Sequence, residues 1–285
     1  MTMRLPEWIK TTTGGQHHTK NLLRSHRLST VCEEARCPNQ GVCFLKPAAA
    51  FLIMGDFCTR SCAFCAVRPG VPAVPDAGEP ERIAEAVSEL GLRYVVITSV
   101  TRDDLTDGGA SHFAATIRAV KKALPAVKVE VLTPDFQGDV NAIGAVLEAG
   151  PDVFNHNIET VKRLYHVVRP QADYQRSLGV IGTAAKMTQD IKTKSGLMIG
   201  LGETIDEVKE VLRDMRESGC DLLTVGQYLR PAKKNLPVVE YIHPDVFEAL
   251  KLYALGLGFE FVASGPLVRS SMNAEEMYNG VKSES

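Results

Sequence analysis

Between Glu79 and Ala263, short β-branched apolar runs alternate with amphipathic stretches, and no other feature restricts the fold as strongly. Tyr94–Thr98, Val127–Leu132, Asp152–Asn157, Gly196–Leu201, Leu222–Gly226 and Phe259–Ala263 read as strands. Glu79–Leu90, His112–Leu124, Val140–Ala149, Tyr174–Met187, Thr204–Ser218 and Asp245–Gly256 read as helices, the first stopped by Gly91. Phe51–Met54 adds a buried strand upstream. Such a chain predicts βα units wound on a parallel sheet. Six core strands and one late strand fall short of the eight that close a full barrel. A partial barrel and a doubly wound open sheet both fit that count. In either, reactive residues gather at the C-terminal ends of the strands.

The strand Phe51–Met54 runs through Gly55-Asp56-Phe57 into Cys58-Thr59-Arg60-Ser61-Cys62-Ala63-Phe64-Cys65, a C-x3-C-x2-C loop. Three thiolates on one short loop can hold three irons of a [4Fe–4S] cluster and leave the fourth open to a small molecule. A structural zinc loop is the alternative, but it takes four ligands, commonly from two C-x2-C units, and the chain has no second such pair. Upstream, Cys32, Cys37 and Cys43 are spaced C-x4-C-x5-C. Pro38, Asn39 and Gly41 make that stretch a turn-rich loop, so a second cluster, one ligand short, reads better than three unrelated core thiols. Cys220 follows Gly219 at a helix end and reads as a small buried residue.

The C-x3-C-x2-C loop resembles that of the radical S-adenosylmethionine (SAM) superfamily, and the two cysteine groups together resemble lipoyl synthases. The likeness continues through Arg93-Tyr94-Val95-Val96-Ile97-Thr98-Ser99-Val100, Asp152-Val153-Phe154-Asn155-His156-Asn157, Lys194-Ser195-Gly196-Leu197-Met198 and Arg269-Ser270-Ser271. It implies an open, TIM-like (βα)6 partial barrel over residues 51–264. Residues 1–50 would carry the auxiliary-cluster loop and residues 265–285 would close on it. It implies SAM chelated by the open iron at Cys58, Cys62 and Cys65 and cleaved to a 5′-deoxyadenosyl radical. An auxiliary [4Fe–4S] cluster on Cys32, Cys37 and Cys43 would take Ser271 as fourth ligand, the second serine of the family's R-S-S-Y-x-A. Met272 stands where the family has Tyr, and Ser270 is then left to cap a helix over Asn273–Tyr278.

The implied substrate is an octanoyl chain on a lysine of a lipoyl carrier domain. Its carbons 6 and 8 are unactivated, so a carbon radical rather than acid–base chemistry must remove their hydrogens. Two SAM molecules would be used per product, with the auxiliary cluster as sulfur donor. The implied partners are E2 subunits of 2-oxoacid dehydrogenases, the glycine cleavage H protein, and a low-potential electron donor such as ferredoxin or flavodoxin. Biotin synthase also inserts sulfur but lacks the upstream C-x4-C-x5-C. Methylthiotransferases acting on RNA bring an extra RNA-binding domain, for which this chain has neither the length nor the basic charge.

Further candidates lie at strand ends. Thr98 and Ser99, Asn155 and Asn157, and Glu159 are read as cofactor-binding, each with a turn-forming or capping role as the alternative. Gly196 to Glu203 resembles the superfamily's G-x-I-x-G-x-x-E element, with Met198 in the Ile place, and puts Met198 and Gly200 beside the adenine. Arg169 can pair with a carboxylate bidentately. Lys192, Lys194, Arg230, Lys233 and Lys234 give a basic rim, and Gln227–Arg230 a pocket mouth. His17-His18, after the turn Thr11–Gly15, read as solvated loop, and Pro6-Glu7-Trp8-Ile9 as a short packed arm. A net charge of −2 on 285 residues gives no pull toward nucleic acid. No apolar run approaches the roughly 18 residues of a membrane span, and Met1–Lys10 lacks the apolar core of a secretory signal, so a reducing cytoplasm is expected.

Overall fold

The computed structural model describes residues 4–10, 17–43 and 50–283; the predicted turn Thr11–Gly15 lies outside them. The strands in chain order are β1 (Ser29–Thr30), β2 (Ala50–Ile53), β3 (Phe57–Cys58), β4 (Arg68–Pro69), β5 (Tyr94–Ser99), β6 (Lys128–Leu132), β7 (Val153–Asn155), β8 (Lys192–Ile199), β9 (Leu222–Gln227) and β10 (Phe261–Gly265). The main sheet has the order β1-β2-β5-β6-β7-β8-β9-β10, while β3 and β4 pair separately beside the cysteine loop. β1 is antiparallel to β2, and every later neighbour is parallel. From β2 onward the strands stand in chain order with no reversal, which a doubly wound sheet would need. No pairing joins β10 to β2 among the described residues, so the barrel is partial and open.

Alternation along the strands builds two cores. Val95, Ile97, Val129, Val131 and Phe154 meet Ile83, Val87, Phe113, Ile117, Ile143 and Val146 of the surrounding helices. The other strand face carries Tyr94, Val96, Val153 and Leu222, packed with Ala274, Met277 and Tyr278 of the last helix and with Cys32. The tail helix Ala274–Ser283 therefore packs on this strand face through Ala274, Met277 and Tyr278. Local signals start the outer helices. Ile205–Glu217 opens on a capping box between Thr204 and Glu207, and Tyr174–Met187 on Asp173, whose side chain accepts from Arg176 N–H.

Four expectations change. β8 begins at Lys192, four residues before the predicted Gly196, because its polar start is satisfied inside the protein. Lys194 is 0% exposed and paired with Glu130, so it is no rim residue. Lys192 pairs with Glu260, and Arg230 folds back onto the Asn235 carbonyl, leaving Lys233 and Lys234 exposed. β10 lies two residues later than predicted, since Phe259 packs on the helix side. His17 and His18 open a helix, His17–Ser25, rather than a loop. The predicted arm holds: Ile9 is buried, and the Trp8 ring meets His243 edge-on at 5.1 Å.

Candidate active site

β2 delivers the chain to the Cys58–Cys65 loop, and the segments that follow several strands hold that loop. Thr59 N–H and its hydroxyl both donate to the Thr101 carbonyl, at 3.1 and 2.9 Å. Ala63 N–H donates to Val168 O, and Asn235 Nδ2 donates to Cys65 O at 2.7 Å. Cys58 Sγ accepts from Arg60 N–H and Thr101 N–H at 3.4 and 3.3 Å. The loop's own Arg60 is the strongest tie. Its Nε and Nη2 donate to Asp103 at 2.7 and 2.8 Å, and Nη1 and Nη2 to Asp135 at 3.0 and 2.7 Å. Arg176 adds a bond to Asp135 at 2.9 Å. Burial alone would raise Asp135, but the Arg60 hydrogen bonds and charge hold it well below the usual carboxylate range. Sequence reasoning missed Arg60, because its partners lie 43 and 75 residues away.

The second cysteine group sits at the same place from the other side. Thr30 caps the short helix Val31–Glu34, which presents Cys32, and Cys43 ends the short helix Gln40–Cys43. The Cys32 thiol donates toward Cys37. That bond raises Cys32, with burial and the nearby Cys37 and Cys43 adding to it, and lowers Cys37, which Asn39 N–H and the charge of Arg269 also favour as thiolate. Asn39 Nδ2 joins this loop to the tail, donating to Leu267 O at 2.6 Å and to Met272 Sδ at 3.1 Å. Met272 thus serves as an acceptor for the loop.

Both groups border one cavity of about 320 Å³, lined by Cys32, Cys37, Cys58, Cys62, Cys65 and Ser271 among others. Of the other predicted residues, Thr98, Ser99, Asn157, Glu159, Arg169 and Met198 are on its wall. Cys43, Asn155 and Gly200 are not. Asn155 Nδ2 donates to Glu130 at 3.0 Å within the barrel. At Gly200 (φ +102°) a β-carbon would come within 2.5 Å of the Glu240 carbonyl, so this glycine admits backbone rather than a ligand. Thr98 spends its hydroxyl on Leu132 O at 2.8 Å. Tyr228 and Leu229 of the predicted mouth also line the cavity. The capping role expected for Ser270 is absent: the tail helix starts at Ala274, and Ser270 Oγ lies 2.8 Å from Asn157 Nδ2. Cys220 is fully buried, its thiol donating to Leu222 O.

The residues fit a metal cluster and a polar ligand. Burial pushes the Cys65 thiol up to about 12 and raises Cys62 against the pull of Arg169. Buried thiols of this kind lose their protons when metal replaces them. Among the described residues no three His, Cys, Asp or Glu groups close on a single ion, whereas a four-iron cube takes its thiolates at separate corners. Ser99 Oγ, Arg169 Nε and His156 Nε2 are buried on cavity residues without a protein partner. Arg169 spends Nη1 on the carbonyls of Asn157 and Ile158 and on the Tyr165 hydroxyl, at 3.0, 3.3 and 3.0 Å. His156 Nδ1 is 2.9 Å from Thr133 O, an acceptor only, so Nδ1 carries the proton and Nε2 is a bare base. The Asn155-His156-Asn157 run at a strand end was the available signal for His156.

Comparison with known proteins agrees with this arrangement. Residues 52–215 match the Radical SAM superfamily, and residues 1–37 match the N-terminal domain of lipoyl synthase of that family. A lipoyl synthase of Caldicellulosiruptor saccharolyticus is 56% identical, covering 97% of this chain and 98% of its own. One from Methylococcus capsulatus is 55% identical, covering 96% of this chain and 86% of its own. Among solved structures, methylornithine synthase superposes with a TM-score of 0.57 at 14% identity, covering 95% of this chain and 94% of its own. Coproporphyrinogen III oxidase from Escherichia coli gives 0.53 at 14%, covering 81% of this chain and 59% of its own. These two share the fold. Read with the cysteine groups, the sequence identity shows that this chain belongs to the lipoyl synthase family of radical SAM enzymes, sulfurtransferases that use SAM and [4Fe–4S] clusters.

Proposed function

We propose that Cys58, Cys62 and Cys65 hold the [4Fe–4S] cluster that binds SAM, and that Cys32, Cys37, Cys43 and Ser271 hold the auxiliary [4Fe–4S] cluster. One observation carries this reading: thiols of both groups border a single cavity. When bound, the first cluster with SAM supplies a carbon radical able to take hydrogen from carbons 6 and 8 of a protein-bound octanoyl chain, and the second supplies sulfur. The protein's own part is to bind and to exclude. Leu52, Val100, Leu132, Phe64 and Val268 give the cavity an apolar wall suited to an alkyl chain and poor in water. Arg169, whose Nε has no protein partner, and Ser99, His156, Asn157 and Glu159 form its polar side toward SAM. Met198 adds an apolar contact there.

We read residues 1–50 as the auxiliary-loop segment, 51–264 as the barrel, and 265–285 as the tail. The carrier domains would be those of 2-oxoacid dehydrogenase E2 subunits and the glycine cleavage H protein, with a ferredoxin or flavodoxin as electron donor. No helix of the described residues is long and apolar enough to cross a membrane, and we place the enzyme in the cytoplasm. The deciding experiment loads the protein with isotopically labelled sulfide and supplies SAM, reductant and an octanoylated carrier domain. Label at both product positions is expected, with two SAM consumed per lipoyl group and about one product per chain in the absence of repair. Unlabelled product would put the sulfur source elsewhere.

A further inference from the structure

A buried charge inside the barrel is directed at the tail. Lys194 Nζ donates to both Glu130 oxygens, at 2.9 and 3.0 Å, and its third bond, 2.7 Å long, goes to the backbone carbonyl of Ser270. Glu130 is held in turn by Tyr94 Oη at 2.7 Å and Asn155 Nδ2 at 3.0 Å. Such a buried ion pair adds little stability over an apolar pair of the same size, so its geometry is the better guide to its role. The same tail residue is gripped again through its side chain. Ser270 Oγ lies 2.8 and 3.0 Å from the amide nitrogen and oxygen of Asn157, and 3.4 Å from Thr224 Oγ1. The sheet makes room for this contact at Gly196. A β-carbon there would stand 2.3 Å from Thr224 Oγ1, 3.1 Å from Ser270 Oγ and 3.2 Å from Asn157 Oδ1. Gly226, on the next strand, admits the tail backbone in the same way, since a β-carbon would meet Val268 O at 2.3 Å.

We propose that Lys194 and Asn157 are positioning residues that fasten the tail through Ser270 and thereby fix where the Ser271 hydroxyl stands on the cavity wall. The inference rests on reading Ser271 as the auxiliary-cluster ligand, but the fastening is a property of the polypeptide and is measurable without a cluster. Amide hydrogen exchange of the full-length, cluster-free protein reads it at Val268, Met272 and the tail helix, with β5 as the reference for global folding. Ser270→Ala and Asn157→Ala should each speed exchange of the tail about fivefold, the worth of one hydrogen bond, and leave β5 unchanged. Lys194→Met alone would strand a buried carboxylate, so it is paired with Glu130→Gln; that double variant should loosen the tail at least as much. Gly196→Ala should do the same by steric exclusion. Iron content after reconstitution should then fall at the upstream group, while the Cys58–Cys65 group keeps its iron. Tail exchange equal to the parent in Ser270→Ala and in the double variant would overturn the proposal. Ser271→Ala separates the two ideas: it should lose auxiliary iron with tail exchange unchanged. Full auxiliary iron in Ser271→Ala, with faster exchange in Ser270→Ala, would remove the ligand reading and leave the fastening standing.

Discussion

The two cysteine loops border the same cavity but are built in opposite ways. The Cys58–Cys65 loop leaves a fully buried strand and is braced by Arg60 against Asp103 and Asp135, with Arg176 behind. Asp103 and Asp135 stand in the loops that follow β5 and β6, and Arg176 in the first turn of the helix Tyr174–Met187. The Cys32–Cys43 loop is made of short helices, of which the first packs Cys32 against the inner strand face. Its second half is tied through Asn39 to Leu267 and Met272, more than two hundred residues away. One site is therefore part of the scaffold, while the other exists only when two chain segments meet. That difference suits their proposed duties, since a group that cleaves SAM repeatedly gains from rigidity and a group that gives up sulfur must open. The proposed Ser271 oxygen among the thiolates would be a hard donor on a soft centre and would favour the same opening.

The largest effects should come from separating the loops. Replacing Cys58, Cys62 or Cys65 by Ala should abolish 5′-deoxyadenosine formation, measured by chromatography of reduced, SAM-treated protein. Replacing Cys32, Cys37 and Cys43 together should leave that product forming but give no carbon–sulfur bond on the octanoyl chain. Loss of SAM cleavage in the upstream triple variant would show that the loops are not independent.

Next in size is the brace. Arg60→Ala leaves Asp135 buried without its main partner, and removal of one member of a buried ion pair costs about 3–5 kcal/mol. A fall in unfolding free energy of that size, with lost iron at the first group and retained auxiliary iron, is the expected result. Arg60→Lys cannot fork between two carboxylates and should recover only part. Equal damage to both groups would break the contrast drawn between them.

How much of this could be read from the sequence follows from the distance over which each residue finds its partner. The cysteine groups are local patterns and were legible, as were the strands and helices with self-contained periodicity, such as Tyr174–Met187. The start of β8 was not, because Lys192-Thr193-Lys194 reads as polar loop until Glu130, 64 residues away, is seen to neutralise Lys194. Arg60 hid for the same reason. Ser270 reads as a helix cap because its true neighbour, Asn157, is 113 residues earlier. Asn155 and Asn157 look alike in sequence, yet Asn155 ends β7 against Glu130 while Asn157, two residues beyond the strand, meets the tail.

The braced side should also be the pH-sensitive side. Burial first, then the charge of Arg169, lowers His156 to about 4, against about 6.5 when unfolded. Above pH 6.5 the residue is neutral in both states and contributes no pH dependence. As pH falls from 6.5 toward 4 the unfolded chain takes up the proton first, so stability is lost across that window, by about 2 kcal/mol at pH 5. Denaturant unfolding at pH 7 and pH 5 should show this difference, and His156→Asn should flatten it. An equal loss in the variant would place the sensitivity elsewhere.

The smallest effect tests the weaker loop alone. Asn39→Ala removes the donor that spans Leu267 O and Met272 Sδ and touches nothing in the braced loop. A neutral hydrogen bond to a backbone carbonyl is worth about 1 kcal/mol, and one to a thioether less. Global stability should therefore fall by about that amount, near the limit of an unfolding curve. The local consequence should be clearer, because that bond holds the cysteine loop to the tail. Auxiliary iron should leave faster under a chelator, while release from the Cys58–Cys65 group keeps its parent rate. Met272→Leu, which removes only the sulfur acceptor, should give a smaller change in the same direction. If Asn39→Ala accelerated iron loss from both groups alike, the upstream loop would share the scaffold's rigidity, and the contrast between a braced site and an assembled one would fail.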